Sequence, residues 1–377
     1  MLSVTTFGGP QAHIAHFMRV LVQNRKYLSE DDLLEINALC QVLPGPTSTQ
    51  TLSAIGYRLG GPNLAYLTLL IWILPAVALM TLAAFLITAL QDNMSFNFTR
   101  FVPAMAVGFV SYAAYSMSVK SVTTRTGVVL MVVAAVTSYF IRSPFFYPAA
   151  LVVAGLVTAF KYKAQPKEEK IPMEINWANF ILWGGVLVAA ATLGHFTDYL
   201  PVRLFENFYR NGSLIFGGGQ VLTPLLYTEF VELKAYLDAK QFLSGYAIAQ
   251  SLPGPVFSFS AYIGALSMQK AGADTLSQLL GAFTSAAGIF LPGTFLIFFL
   301  IRFWNSLKKY RAVRASLEGV TAASAGLVAA AAVFLFQPLD NTFLNYAFTV
   351  GTFALLTFTR VPSAAVILIG LLLGLIL

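Results

Sequence analysis

From Leu64 to Leu90 the chain runs for 27 residues without one charged side chain, and Val361–Leu377 is similarly bare. At about 1.5 Å per residue the first run exceeds the roughly 30 Å of a bilayer's hydrocarbon core. A chain carrying such runs buries them in lipid or in an unusually large core. Charged residues make up only 10% of the sequence, against about 25% in ordinary soluble domains. The fold class is therefore all-α, a polytopic integral membrane protein.

Apolar segments fall near 4–22, 36–57, 64–90, 101–119, 126–141 and 144–160, then near 177–196, 211–231, 242–268, 276–301, 315–336, 341–358 and 361–377. Thirteen candidate transmembrane segments result. One polar stretch, KYKAQPKEEKIPMEIN (161–176), separates them and reads as a mobile cytoplasmic linker. The expected organisation is an N-terminal repeat at 1–160, the linker, an extra helix at 177–196 and a C-terminal repeat at 197–377. If every segment crosses, fifteen basic residues share the linker's side and eight the other. The positive-inside rule then puts the N-terminus in the cytoplasm and the C-terminus outside. Whether the motif-bearing segments cross or turn back is left open by hydropathy.

Sliding the chain on itself by 209 residues aligns 7–46 with 216–255 without a gap, giving 14 identities in 40 positions. FGGPQ (7–11) falls on FGGGQ (216–220), Gln41 on Gln250, and LPGP (43–46) on LPGP (252–255). The matches concentrate on Gly, Pro, Gln and Tyr, which shared leucine richness cannot produce. A weaker match sets PAMAVGF (103–109) against VTAASAGL (320–327), Gly108 on Gly326. Six segments per half and one between them give the halves opposite orientations. Inverted-topology repeats of this kind are a plan of secondary transporters, whose substrate sites lie on broken helices near the midplane.

The repeated motifs are helix breakers. The pairs Gly8-Gly9 and Gly217-Gly218 admit conformations other residues avoid, and the prolines of PGP, around Gly45 and Gly254, cannot donate to a helix. Such breaks survive at membrane depth only where protein or a water-filled cavity satisfies the freed backbone groups. A helix restarting after PGP aims its amides at that cavity, a setting suited to an anion. Thr47, Ser48 and Ser258 add hydroxyls, and Gln11, Gln41, Gln220 and Gln250 place amides at equivalent positions of both halves. This donor set suits a tetrahedral oxyanion and offers few ligands to a bare cation.

Ionisable groups at membrane depth are candidates for function. His13, Glu35 and Glu229 are the candidate proton carriers, histidine being able to change charge near neutral pH. No cofactor or metal is expected: Cys40 is the single cysteine, only three histidines occur, and there is no Walker-type phosphate loop. HExxH and GxSxG are absent, so the expectation is no enzyme. The net charge of +7 reads as topology rather than nucleic-acid binding. Membrane lipid is the expected surround, and exposed helix faces are compatible with a homodimer.

FGGPQAHIAHF (7–17), YLSEDDLLEINALCQVLPGPTSTQ (27–50), FGGGQV (216–221) and FLSGYAIAQSLPGP (242–255) resemble the signatures of the chromate ion transporter family, in its long two-domain form. The resemblance covers most of the chain. It implies export of chromate from the cytoplasm, driven by the proton motive force and conferring resistance, with sulfate as a near-isosteric competitor. Two alternatives stay open: an uncoupled channel or facilitator for sulfate-like dianions, and an accessory subunit without its own path. One departure is that LFENFYRNGSLI (204–215) precedes FGGG while only MLSVTT precedes FGGP. The expectation is that the sequence starts inside the first helix.

Overall fold

A computed structural model describes residues 2–7, 9–93, 99–161, 175–216, 219–359 and 361–376. Most of the linker, together with Gly8, Gly217 and Gly218, lies outside the described residues. Those described are helical, with turns and short connections and no strand among them.

The first motif helix, α1 (Gly9–Phe17), widens into a π-helical stretch, Met18–Asn24. After it come α2 (Glu30–Val42) and α3 (Thr47–Asn93), the latter broken at Gly60-Gly61, where φ reaches +72° at Gly61. The half closes with α4 (Val102–Ser121), α5 (Arg125–Phe140) and α6 (Phe146–Ala159). The intervening helix is α7 (Ala178–Phe196). The second half repeats the order with α8 (Leu200–Leu214), α9 (Gly219–Tyr227) running into π-helical Thr228–Leu233, α10 (Ala239–Ser251) and α11 (Phe259–Lys270). It ends with α12 (Thr275–Leu300), α13 (Arg311–Phe334), α14 (Phe343–Phe358) and α15 (Ser363–Ile376).

The 209-residue repeat extends to local chemistry that identity alone does not reveal. Ser29 and Asp238 stand at the same repeat position, and each closes a capping box, with Asp32 and Gln241 respectively. Lys26 and Ala235 are likewise equivalent, and both adopt positive φ, +52° and +49°. Such conformations are uncommon outside glycine, so both halves turn the same tight corner before α2 and α10.

The motif segments turn back at their breaks. Asn211 and Arg210 near the end of α8 bond Glu229 beyond α9, and Phe208 stacks on Phe230 at 4.7 Å. The Tyr262 hydroxyl of α11 donates to the Gln241 carbonyl of α10, and Lys270 Nζ reaches the Ala235 carbonyl at 2.7 Å. In the first half Arg58 pairs with Asp32 across the α2–α3 break at 2.6 Å. These hairpins correct the tally of basic residues above, which took each motif segment as one crossing. That count put Arg210 and Lys234 on opposite sides, yet both bind one carboxylate. Five described helices or helix pairs are long and apolar enough to cross a membrane (Thr47–Ala89, Val102–Lys120, Ala178–Phe196, Thr275–Leu300, Arg311–Phe334), and four shorter apolar helices accompany them.

Contacts between element ends sort into two groups. One end gathers Asp32–Arg58, Glu35–Lys308, Tyr57–Arg302, Thr124–Glu318 and Thr126–Lys161. The other gathers Thr88–Gln269, Arg142 with Glu232 and Gln337, and the Glu229 cluster. The halves interleave between these ends. α13 packs along α5 and α6, while α4 packs along α14 and α15. Glycine makes both crossings possible: a Cβ at Gly326 would lie 2.1 Å from the Met131 carbonyl oxygen, and one at Gly108 would lie 2.7 Å from that of Thr349. Gly326→Ala is expected to cost about 1–3 kcal/mol through overpacking against backbone that cannot yield. A fall of several degrees in the melting temperature of the detergent-solubilised protein would register it.

Candidate functional site

The two PGP breaks meet the two FGG breaks crosswise. The Gly45 amide donates to the Ile215 carbonyl at 2.7 Å, and the Gly254 amide donates to the Thr6 carbonyl at 3.0 Å. Gly45 and Gly254 are repeat equivalents, as are Thr6 and Ile215, so each half's break is closed by the other half. Both glycines have strongly positive φ, +113° and +103°. Each also packs on the residue after a proline in a long helix of the opposite half: Gly45 on Gly293 beyond Pro292, Gly254 on Ala76 beyond Pro75. The backbone groups freed by proline and glycine are thus answered inside protein, as membrane depth requires.

Around this crossing the halves differ. In the first, His13 Nδ1 and Ser48 Oγ share a buried hydrogen bond of 2.9 Å, and the Trp72 indole donates to Thr49 Oγ1 at 3.1 Å while standing edge-on to the His13 ring. Gln50, buried, donates from Nε2 to the Pro44 carbonyl at 2.6 Å. His13 Nε2 and Gln50 Oε1 are buried and have no hydrogen-bond partner among the described residues. In the second half Leu222 and Phe257 replace His13 and Ser48. Ser258, in a short 3-10 turn, is buried there, and so is Ser260, whose hydroxyl has no partner among the described residues.

The remaining predicted residues are distributed as follows. Gly9 has φ +80°, as a break demands. Thr47 opens α3, and its carbonyl accepts from Thr51. Gln250 donates to the Tyr246 hydroxyl at 2.8 Å and its carbonyl accepts from Ser363. Gln41 is exposed. The side chains of Gln11 and Gln220 lie outside the described residues. Glu35 forms a half-exposed ion pair with Lys308 at 2.6 Å, in the second turn of α2 and at one end of the bundle.

Glu229 is the centre of a network that sequence reasoning touched at one residue only. Its carboxylate, almost wholly buried, takes hydrogen bonds from Arg210 at 2.6 Å and Asn211 at 2.7 Å, with Lys234 at 3.1 Å. Arg210 also binds Glu206 at 2.9 Å, and Asn207 Oδ1 accepts from Arg210 and Lys234. The signal available in sequence was the polar stripe Arg203, Glu206, Asn207 and Arg210, spaced for one helix face in an otherwise apolar region. Repeat position 20 carries Val20 in place of Glu229, so the central carboxylate is not repeated in the first half.

The family model described as "Chromate transporter" matches residues 1–160 and 202–375. A probable chromate transport protein of Synechococcus elongatus is 27% identical over all of this chain and 93% of its own length. The chromate transport protein of Cupriavidus metallidurans is 28% identical over 89% of this chain and 80% of its own. An uncharacterized transporter of Methanocaldococcus jannaschii is 23% identical over 99% of this chain. No solved structure matches significantly. With both halves matched and the paired breaks in place, the chain belongs to the chromate transporter family.

Proposed function

We propose that the protein is a secondary active transporter that exports chromate across the cytoplasmic membrane, driven by the proton motive force, and so confers chromate resistance. The observation that carries the reading is the crossed pair Gly45–Ile215 and Gly254–Thr6. Breaks from both halves meet there, beside the buried His13–Ser48 pair of the first half and the buried Ser258 of the second. Sulfate, with the same charge and shape, fits the same donors. The binding set is Gly8, Gly9, Gln11, His13, Gln41, Gly45, Thr47 and Ser48, with Gly217, Gly218, Gln220, Gln250, Gly254 and Ser258.

The crossed contacts and interleaved helices support inverted repeats, at 1–160 and 197–377. With hairpins returning to their own side, twelve described basic residues gather at the Arg58 end and seven at the Arg142 end. The positive-inside rule makes the Arg58 end cytoplasmic, which keeps the N-terminal motif on the cytoplasmic side and the C-terminus external. Lipid covers the apolar outer faces, and α7, exposed along nearly its whole length, leaves room for a second copy. Of the proton-carrier candidates, His13 beside the break and Glu229 in its buried network outrank Glu35, whose partner Lys308 lies at the bundle's end.

Everted membrane vesicles test the coupling. Labelled chromate should accumulate only when the vesicles are energised, and collapse on adding an uncoupler. Uptake that survives the uncoupler would instead establish a facilitator. Purified protein in liposomes that moves no chromate under an imposed gradient would leave only an accessory role.

A further inference from the structure

Beside the Glu229 network lies a cavity of about 410 Å³, lined by Gly194, Arg203, Glu206, Asn207, Lys234 and Tyr236. At the repeat position of Glu229 the first half carries Val20. The cavity's lining is dominated by donors. Arg203, Lys234 and Tyr236 stand in its wall, with Lys234 Nζ over the Tyr236 ring. Asn207 is 1% exposed, and its Nδ2 has no hydrogen-bond partner among the described residues. That amide is already oriented, because Oδ1 is held by both Lys234 and Arg210.

The acids nearby are spoken for. Glu206 is bound by Arg210, and Glu229 by Arg210, Asn211 and Lys234. Arg203 pairs with Asp198, but that carboxylate is 98% exposed, and an ion pair so open to water is weak and readily exchanged for another anion. Within the lining itself Arg203 and Lys234 stand against the single carboxylate of Glu206, which Arg210 already binds.

We propose that this cavity is a second oxyanion site, distinct from the paired breaks, which holds a sulfate-, chromate- or phosphate-like group between Arg203, Lys234 and the Asn207 amide. The donor set is the one that recognises tetrahedral oxyanions, two charged donors and an oriented neutral one. Its place in the fold links it to the breaks. Arg203 stands twelve residues before Ile215 on α8, about 18 Å along the axis at 1.5 Å per residue, and Arg210 lies between. Ile215 itself accepts the Gly45 amide. One helix thus carries both the cavity and the carbonyl that closes the first break, and the cavity sits at the Arg142 end of the bundle.

Equilibrium binding of radiolabelled sulfate to the full-length protein in maltoside micelles tests this. Wild type should show a site that weakens about tenfold or more in Lys234→Gln and in Asn207→Asp, the loss of one charge-assisted contact being worth that much. Lys234→Arg should restore it, which a merely misfolded variant would not allow. Gly45→Ala, aimed at the breaks, should leave this site intact. If wild type binds sulfate once and Lys234→Gln abolishes it, the cavity site stands and the reading of the breaks falls. If sulfate binding is unchanged in both Lys234→Gln and Asn207→Asp, the cavity site is overturned. Phosphatidylglycerol added to the micelles distinguishes the source: competition at this site alone identifies a lipid headgroup as its natural occupant, and no competition a free anion.

Discussion

Gly254→Ala should abolish transport, and Gly45→Ala should reduce it severely but less. Both residues hold φ above +100°, a region in which an alanine is strained by about 1–3 kcal/mol. The added Cβ then decides the order. At Gly254 it would stand 2.8 Å from Ala76 Cβ, which is fixed to the backbone of α3, whereas at Gly45 it would stand 2.9 Å from the amide end of Gln50. Gln50 can swing away, at the cost of its bond to the Pro44 carbonyl. Each substitution also pushes the donor amide off its partner across the pseudo-symmetric crossing. Chromate uptake per folded protein is expected to fall more than about tenfold, since two such penalties together exceed the 1.4 kcal/mol that a factor of ten represents. Ala76→Gly combined with Gly254→Ala should recover part of the loss by removing the methyl that clashes. A double variant no better than Gly254→Ala would show that the φ strain, and not the contact between halves, carries the effect.

Much of this crossing was legible in the sequence because proline and glycine act locally. PGP cannot continue a helix wherever it lies, and its recurrence after 209 residues marks Gly45 and Gly254 as equivalents before any coordinate is known. Ser29 with Asp32 and Asp238 with Gln241 were legible in the same way, as capping pairs at helix starts. What hydropathy could not decide was direction. A segment that dips in and returns is as apolar as one that crosses, and the difference between them lies in contacts such as Tyr262 with Gln241. The Glu229 network was hidden for a related reason. Its members straddle the break at 215–218, so Arg210 and Glu229, nineteen positions apart, meet only if the chain turns back. Counting Arg210 and Lys234 on opposite sides followed from assuming that it did not. Gln41 and Gln250 show the limit of the repeat: the two positions are equivalent, yet one side chain is exposed and the other bonded to Tyr246, because position in a repeat fixes the backbone before it fixes the surroundings.

Glu229→Gln should separate proton coupling from anion movement. The carboxylate is 2% exposed and is approached by Arg210 and Lys234, themselves 18% and 30% exposed. Replacing it with a neutral amide of the same shape leaves Lys234 without its counter-charge and Arg210 with Glu206 alone. Removing one partner of a fully buried pair costs about 3–5 kcal/mol, and the exposure of the two cations lowers that figure here. A moderate fall in melting temperature is therefore expected, smaller than that of Glu229→Ala, which also opens a void beside Phe208 and Phe230. The functional outcome is the sharper test. If Glu229 exchanges a proton during the cycle, energised accumulation of chromate should disappear in Glu229→Gln, while exchange of labelled for unlabelled chromate across the membrane, which needs no net proton movement, should persist. If the carboxylate only holds α8 against the π-helical stretch after α9, both activities should decline together, in proportion to the folded protein that remains. His13→Asn provides the comparison from the other half: its amide stands where Nδ1 does and can keep the bond to Ser48 but cannot carry a proton at neutral pH. Loss of accumulation with retained exchange in His13→Asn, and not in Glu229→Gln, would move the proton path to the first half's break and leave Glu229 with the task of balancing Arg210 and Lys234 at the cavity.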